Sequence, residues 1–307
     1  MIQWGTLCKE LRSKIPIMKL RFQFVLTLVF LLLTISHCFL FRSMEKPPKA
    51  VTLANYNPNQ VKFHWIGHAT ILIQIYDKWI LTDPNFSSSV GLVVKRYVEA
   101  PLDLESLPEI DTVLISHTHF DHLDQSTLKQ LRIKGNVLVP KGAGFYIPNS
   151  LTEKKIELEP WQNTESNQIK LTAVPARHFG GRWLVDNLWD GDPYTGYVIE
   201  YRGVTLYFAG DTGYQKENFQ EIGKRFNIDL AFLPVGPSKG PNNPVHINPY
   251  EAVDTYLDLR AKLMVPMHYG TFYRNMDSEL PTLKEALAPL ENKAVILSIG
   301  DSYELNK

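Results

Sequence analysis

Within six residues, His117-Thr118-His119-Phe120-Asp121-His122 offers four side chains that bind metal through nitrogen or oxygen. On an irregular turn, alternate side chains can converge on one ion while Asp121 and His122 swing towards a second. That is the demand of a dinuclear centre with ions ~3.5 to 4 Å apart. A solvated polar loop with the same residues would be a rare coincidence. Two ions need more ligands than this turn holds, and candidates follow further on. His178 after LTAVPAR, Asp211 after LYFAG and His268 after LMVPM each stand just beyond an apolar run. A strand end in that position presents a ligand from a rigid scaffold. Taken singly, His178 or His268 would be read as a satisfied structural histidine; the turn reverses that reading. The only cysteines, Cys8 and Cys38, lie near the start of the chain, so a metal site elsewhere must use His, Asp or Glu.

The elements that would position these residues belong to a chain of 307 residues with 44% hydrophobic, 11% aromatic and 21% charged residues, values that exclude a disordered, collagen-like or multi-span membrane protein. Lysine plus arginine and aspartate plus glutamate each number 32, so nothing suggests a polyanion binder and no nucleic-acid partner is expected. From Phe22 to Phe41 the 20 residues carry no formal charge, enough at about 1.5 Å per residue to cross a ~30 Å hydrocarbon core. This segment reads as an uncleaved signal anchor, with a lipoprotein site at Cys38 as the second choice. Met18, followed by Lys19 and Arg21, offers an alternative start. The expected order is a basic segment over 1–21, a transmembrane helix over 22–41, a Pro-rich linker over 42–60 and one catalytic domain over 61–307. The domain is expected outside the cytoplasmic membrane, on the periplasmic or extracytoplasmic side.

Alternation of apolar and polar residues predicts strands over 61–66, 70–76 and 79–84, joined as an antiparallel meander, and a buried strand over 111–116. A helix is expected from Asp124, with Leu128, Leu131 and Ile133 on one face until Gly135. Strands follow over 168–174, 195–201, 204–209 and 229–233, with Arg202-Gly203 as a hairpin turn. Asn248, Pro249 and Glu251 predict a capped helix, and Thr282 with Glu285 repeats the pattern. Residues 263–267 and 294–299 read as strands. The interleaving makes an α/β or α+β domain.

The ligand order resembles that of the metallo-β-lactamase-fold hydrolases, with their HxHxDH turn, later His, bridging Asp and last His. The resemblance spans roughly residues 55 to 300 and implies an αββα four-layer sandwich with metals at one edge of two packed sheets. It implies that His117, His119 and His178 bind one zinc, that Asp121, His122 and His268 bind the other, and that Asp211 bridges. A metal-bridged hydroxide would then be the nucleophile, and the ions would act as Lewis acids.

Flanking segments narrow the resemblance: HWIGHATILIQI at 64–75, LTDPNFS at 81–87, GDTGY at 210–214, HINPYEAV at 246–253 and HYGTF at 268–272. Together these look like N-acylphosphatidylethanolamine-hydrolysing phospholipase D and its bacterial relatives. The implied reaction releases N-acylethanolamine and leaves phosphatidic acid. His246 would contact substrate and protonate or orient the leaving oxygen, and Asp83 would support the ligands through hydrogen bonds. Phe120 stands where the mammalian enzymes carry a substrate-touching tyrosine. His64 is read as a satisfied sheet histidine, and His68 as structural or as a support behind the ligands rather than a ligand.

Two loops add a lipid-facing expectation. SSSVGLVVKRYVEAPL places apolar residues beside Lys95 and Arg96, a combination suited to an anionic membrane surface. FGGRWLVDNLWDGDPY adds Trp183, Leu184, Leu188 and Trp189, with Arg182 placed to pair with a phosphate. The competing readings are a lactonase-like enzyme on a soluble phosphorylated sugar acid, an iron-bearing oxygenase of the same fold, and a non-enzymatic membrane-tethered metal-binding protein.

Overall fold

The computed structural model describes residues 43–306 apart from 55, 92–93, 183–192, 237–242 and 274–275, with Thr27 alone before them. The first half of the domain contains β1 (Val61–Gly67), β2 (Thr70–Ile75), β3 (Lys78–Thr82), β4 (Ser89–Val90), β5 (Val94–Lys95), β6 (Ile110–Leu114), α1 (Gln125–Gln130), β7 (Ile133–Pro140) and β8 (Lys155–Leu158). The second half contains β9 (Asn163–Ser166), β10 (Ile169–Val174), β11 (Gly196–Tyr201), β12 (Val204–Phe208), α2 (Lys216–Arg225), β13 (Leu230–Pro234), α3 (Pro249–Leu259), β14 (Leu263–Met267), α4 (Met276–Leu287) and β15 (Ser302–Glu304).

Two sheets result. A seven-stranded sheet runs β15-β1-β2-β3-β6-β7-β8, and a six-stranded sheet runs β14-β13-β12-β11-β10-β9. Their facing sides share one core: Phe63 of β1 meets Phe232 of β13 edge-on at 5.1 Å, and the Tyr197 hydroxyl crosses to the Ile115 carbonyl at 2.9 Å. Phe219 and Ile222 of α2 and Tyr256 and Leu259 of α3 join that core. A second core, including Leu128 of α1, Tyr146 and Leu151, covers the opposite side of the first sheet. Helix, sheet, sheet and helix therefore stack as expected for an αββα sandwich.

The meander of β1, β2 and β3 is antiparallel as the alternation predicts. The first sheet then turns parallel through β3, β6, β7 and β8, and the second is parallel through β12, β13 and β14. Parallel strands direct their C-terminal ends to the same edge, where α/β proteins place ligands. The Asn248 side chain accepts from Tyr250 N and Glu251 N while Glu251 returns a bond to Asn248 N, so α3 begins with the capping box its sequence announces.

Several expectations are corrected. The helix from Asp124 ends at Gln130, and Ile133 begins strand β7. Residues 294–299 form only an isolated bridge, Ala294 to Met264, and the strand at that end of the chain is Ser302–Glu304 on β1. Helix α4 runs Met276–Leu287 straight through Thr282, which therefore caps nothing. The segment expected as a linker lies along the domain: Glu45 N donates to Tyr97 O at 2.8 Å, and Val51 N to Pro101 O at 2.9 Å. Among the described residues no helix is long and apolar enough to cross a membrane; apart from Thr27, the segment 22–41 lies outside them.

The basic loop is also corrected. Arg96 is 1% exposed and donates to the carbonyls of Val98 at 3.1 Å, Asn85 at 2.8 Å and Ile66 at 2.8 Å. Val90 and Val98 are buried with it, so this part of the loop packs inward. Replacing Arg96 by Ala would strand three buried carbonyls, each costing ~1 kcal/mol or more. The expected result is a loss of about 3 kcal/mol in denaturant unfolding with vesicle binding unchanged. Lost vesicle binding at unchanged stability would restore the surface role.

Candidate metal centre

The site lies at the C-terminal ends of strands from both sheets. Asp83 follows β3, His117 follows β6, Asp211 follows β12 and His268 follows β14. His178 stands four residues beyond β10. Its neighbour Arg177 is fixed by donating from N to Thr212 Oγ1 at 2.9 Å. Ile247 N donates to Thr212 O at 2.8 Å, so the residue after Asp211 anchors the segments of both His178 and His246.

Two groups of side chains converge. In one, His117 Nε2 and His119 Nδ1 are 2.8 Å apart, and His178 Nε2 is 3.3 Å from the same His119 nitrogen. In the other, His68, Asp121, His122 and His268 bring their ligand atoms within 4.8 Å of one another. Asp211 lies between the groups. Its Oδ2 is 3.0 Å from His268 Nε2, 3.4 Å from His122 Nε2 and 4.0 Å from His178 Nε2. The seven residues expected as ligands thus meet at one place, and His246 joins them with Nδ1 at 3.6 Å from Asp211 Oδ2.

Hydrogen bonds behind the cluster settle which histidine nitrogen faces it. His117 Nδ1 donates to Ser116 Oγ at 2.9 Å, and that hydroxyl donates to Asp83 Oδ2 at 2.5 Å. His122 Nδ1 donates to the same Asp83 oxygen at 2.7 Å, and His178 Nδ1 to Val245 O at 2.8 Å. In each case the Nε2 lone pair is left to face the centre. The turn itself is held by Asn85, whose side chain donates to Phe120 O at 3.2 Å and Asp121 O at 3.3 Å, and by Asp124, which caps α1.

The electrostatics suit a cation. Asp83, Asp121 and Asp211 are each at most 6% exposed. Burial opposes a charge on His122, but Asp211, Asp121 and Asp83 outweigh it and hold that imidazole well above its ordinary range. Burial likewise opposes ionisation of Asp211, but His268 and His122 overcome it and hold the carboxyl well below the usual carboxylate range. His122 Nε2, both His268 nitrogens, His246 Nδ1 and Asp211 Oδ1 are buried with no hydrogen-bond partner. Such orphaned atoms fit metal coordination, because unpaired buried polar groups are otherwise costly. The donor set of imidazole and carboxylate suits first-row transition ions.

Around the cluster, Arg182 donates Nη1 to Leu123 O at 2.8 Å and lays its guanidinium 4.1 Å over the Phe120 ring. Phe179 packs 4.5 Å from the His119 ring. Trp183, Leu184, Leu188 and Trp189 lie outside the described residues. Sequence reasoning left out His68 and Tyr273, both bonded to Asp121 Oδ2. The IGHA motif carried a signal for His68; for Tyr273 only its place just after HYGTF did. His64 is where a structural histidine belongs, buried on β1 against Ser302 Oγ.

The family model of the beta-lactamase superfamily domain matches residues 78–269. The chain belongs to this superfamily. An uncharacterised protein of Mycobacterium tuberculosis is 35% identical over 249 residues, covering 75% of this chain; the chain spans 65% of that relative's length. The N-acyl-phosphatidylethanolamine-hydrolyzing phospholipase D 1 of Caenorhabditis elegans is 30% identical over 273 residues, 78% of this chain and 74% of that protein. Among solved structures, a metallo hydrolase of Ignicoccus hospitalis matches with TM-score 0.61 at 22% identity over 81% of this chain and 99% of its own. CmlA, a diiron beta-hydroxylase of Streptomyces venezuelae, matches with TM-score 0.59 at 18% identity over 81% of this chain and 54% of its own. The protein is thus a member of the beta-lactamase superfamily whose buried His and Asp cluster can hold metal.

Asp83 touches no solvent, and its bonds to His122 and Ser116 orient both halves of the cluster. Asp83→Asn would offer an amide where two donors need an acceptor. The expected outcome is metal affinity weakened about tenfold to a hundredfold, measured by competition with a chromophoric chelator.

Proposed function

We propose that the protein is a membrane-anchored dizinc phosphodiesterase that hydrolyses N-acylphosphatidylethanolamine to N-acylethanolamine and phosphatidic acid. The observation that carries this reading is Asp211 Oδ2, which stands within 4.0 Å of nitrogens from His178, His122, His246 and His268 and so joins the two ligand groups. The substrate class is supported by the identity shared with the nematode phospholipase. In this reading His117, His119 and His178 hold one zinc, Asp121, His122 and His268 the other, and Asp211 both. Two bound ions would lower the pKa of a water and neutralise phosphoryl charge.

The chain's own residues account for the remaining needs of the reaction. Water adds to phosphorus, the bond from phosphorus to the ethanolamine oxygen breaks, and that oxygen must take up a proton. His246, whose side chain is 18% exposed beside Asp211, is placed to deliver or orient that proton. Arg182, fixed on Phe120 and Leu123 O, offers positive charge at the rim of the site to the second phosphate oxygen.

An exposed aromatic edge favours a lipid substrate. Phe145 is 84% exposed and packs 5.2 Å from Tyr146, whose ring lies 5.5 Å from the Arg182 guanidinium. Phe179 and Tyr273, beside His119 and Asp121, are 38% and 46% exposed. A bare phenylalanine connected through Arg182 to the metal turn suits contact with a bilayer. The anchor over 22–41 would hold this domain at the membrane, on the extracytoplasmic side.

Full-length protein incubated with N-acylphosphatidylethanolamine vesicles should release the two products in equal amounts by mass spectrometry. His246→Ala should lower turnover by about 10² to 10⁴ without loss of metal. Phe145→Ser should weaken turnover on vesicles but leave a short-chain soluble diester unaffected. Two-metal protein that cleaves only soluble phosphorylated esters would move the assignment to the lactonase-like hydrolases.

A further inference from the structure

We infer that His68 and Tyr273 form a two-donor clamp on Asp121 that sets how tightly the second half of the cluster holds its cation. This rests on the cluster binding metal and is independent of the lipid substrate.

Asp121 Oδ2 receives His68 Nε2 at 3.0 Å and the Tyr273 hydroxyl at 2.9 Å. A carboxylate has about four lone-pair sites, and these two donors occupy those of Oδ2. The remaining capacity, chiefly Oδ1, is what a cation could use, and the two bonds fix the carboxylate's rotation. Because His68 Nε2 is a donor here, it does not offer its lone pair to the ion. His68 is therefore a positioning residue, despite lying among the ligands.

The inner half of the clamp is rigid. His68 is 2% exposed and held in the left-handed region at φ 55. Its N donates to Thr271 Oγ1 at 2.7 Å, and its carbonyl accepts from Trp65 Nε1 and from His268 N, each at 3.0 Å. The His68 and His268 rings lie 3.8 Å apart. One residue thus fixes Asp121 by side chain and His268 by backbone, two of the three residues unique to that half. Gly67, just before it, stands at φ 119, and a Cβ there would crowd Arg96 Nη2 at 2.7 Å and, at 3.2 Å, the Thr271 Oγ1 that accepts from His68 N. The outer half is different, since Tyr273 is 46% exposed at the mouth of the site. By contrast, in the other half His117 is held by Ser116 Oγ and His178 by Val245 O, neither of which touches the clamp.

The test is zinc titration of the metal-free full-length protein against a chromophoric chelator, resolving two affinities, for wild type, His68→Ala, His68→Gln and Tyr273→Phe. His68→Ala is expected to weaken one affinity about tenfold to a hundredfold and leave the other unchanged. His68→Gln, whose amide restores a donor, should recover most of the loss. Tyr273→Phe, at a half-exposed position where folding is not at stake, should weaken the same affinity about threefold to tenfold. Equal weakening of both affinities, a Gln variant as weak as the Ala variant, or no effect of Tyr273→Phe would overturn the proposal. None of these outcomes depends on which ester is cleaved.

Discussion

The buried carboxylate of Asp83 ties the site together. It sits where β3 ends beside β6, its own N bonded to Leu114 O at 2.8 Å, and it accepts from Ser116 N at 2.6 Å, Ser116 Oγ and His122 Nδ1. Through Ser116 it orients His117 of one ligand group, and through His122 it orients the other. Burial pushes the Asp83 carboxyl up, and the His122 charge and the bonds from His122 and Ser116 oppose that rise. An acceptor of several donors in a dry site loses much if one is removed. The backbone is held against its preferences in the same place, since Asp83, His68 and His268 all adopt positive φ. Strain of this kind persists where surrounding bonds over-determine it.

From that anchor the chemistry follows by geometry. Strands of the two facing sheets end at one edge, where the turn His117–His122 meets the loops that carry Asp83, His178, Asp211 and His268. Asp211 then lies where both groups meet. The turn His117–His122 is short enough to supply both groups at once, because the chain reverses there: Leu123 N returns to His119 O at 2.9 Å. A phosphodiester needs charge neutralised on several oxygens together, a need that two cations held by these ligand groups would meet. Arg182 stands outside the ligand groups, bonded to Leu123 O and laid over Phe120, while His246 stands beside Asp211 and His178 at the edge of the cluster.

The residues that cluster were legible in the sequence because four donor side chains crowd the turn His117–His122 after one apolar run, and His178, Asp211 and His268 each follow another. The capping box at Asn248 was legible for a similar local reason. Ile133 was misread because no glycine or proline interrupts the chain between Asp124 and Gly135, while pairing with β6 decides for a strand. Arg96 was misread because its three carbonyl partners come from residues 66, 85 and 98, and only folding places them around one guanidinium. His68 and Tyr273 are 53 and 152 residues from Asp121, a separation across which no local pattern carries information. Asp83 lies between these cases: its TDP turn was visible, but its bonds to both ligand groups required the fold.

The central claim is that the cluster directs water to phosphorus and breaks the bond to the ethanolamine oxygen. Hydrolysis of N-acylphosphatidylethanolamine in heavy-oxygen water, with both products analysed by mass spectrometry, tests it most directly. The account predicts one heavy oxygen in the phosphatidic acid and none in the N-acylethanolamine. Label in the N-acylethanolamine, or no cleavage by protein holding two metals, would contradict it.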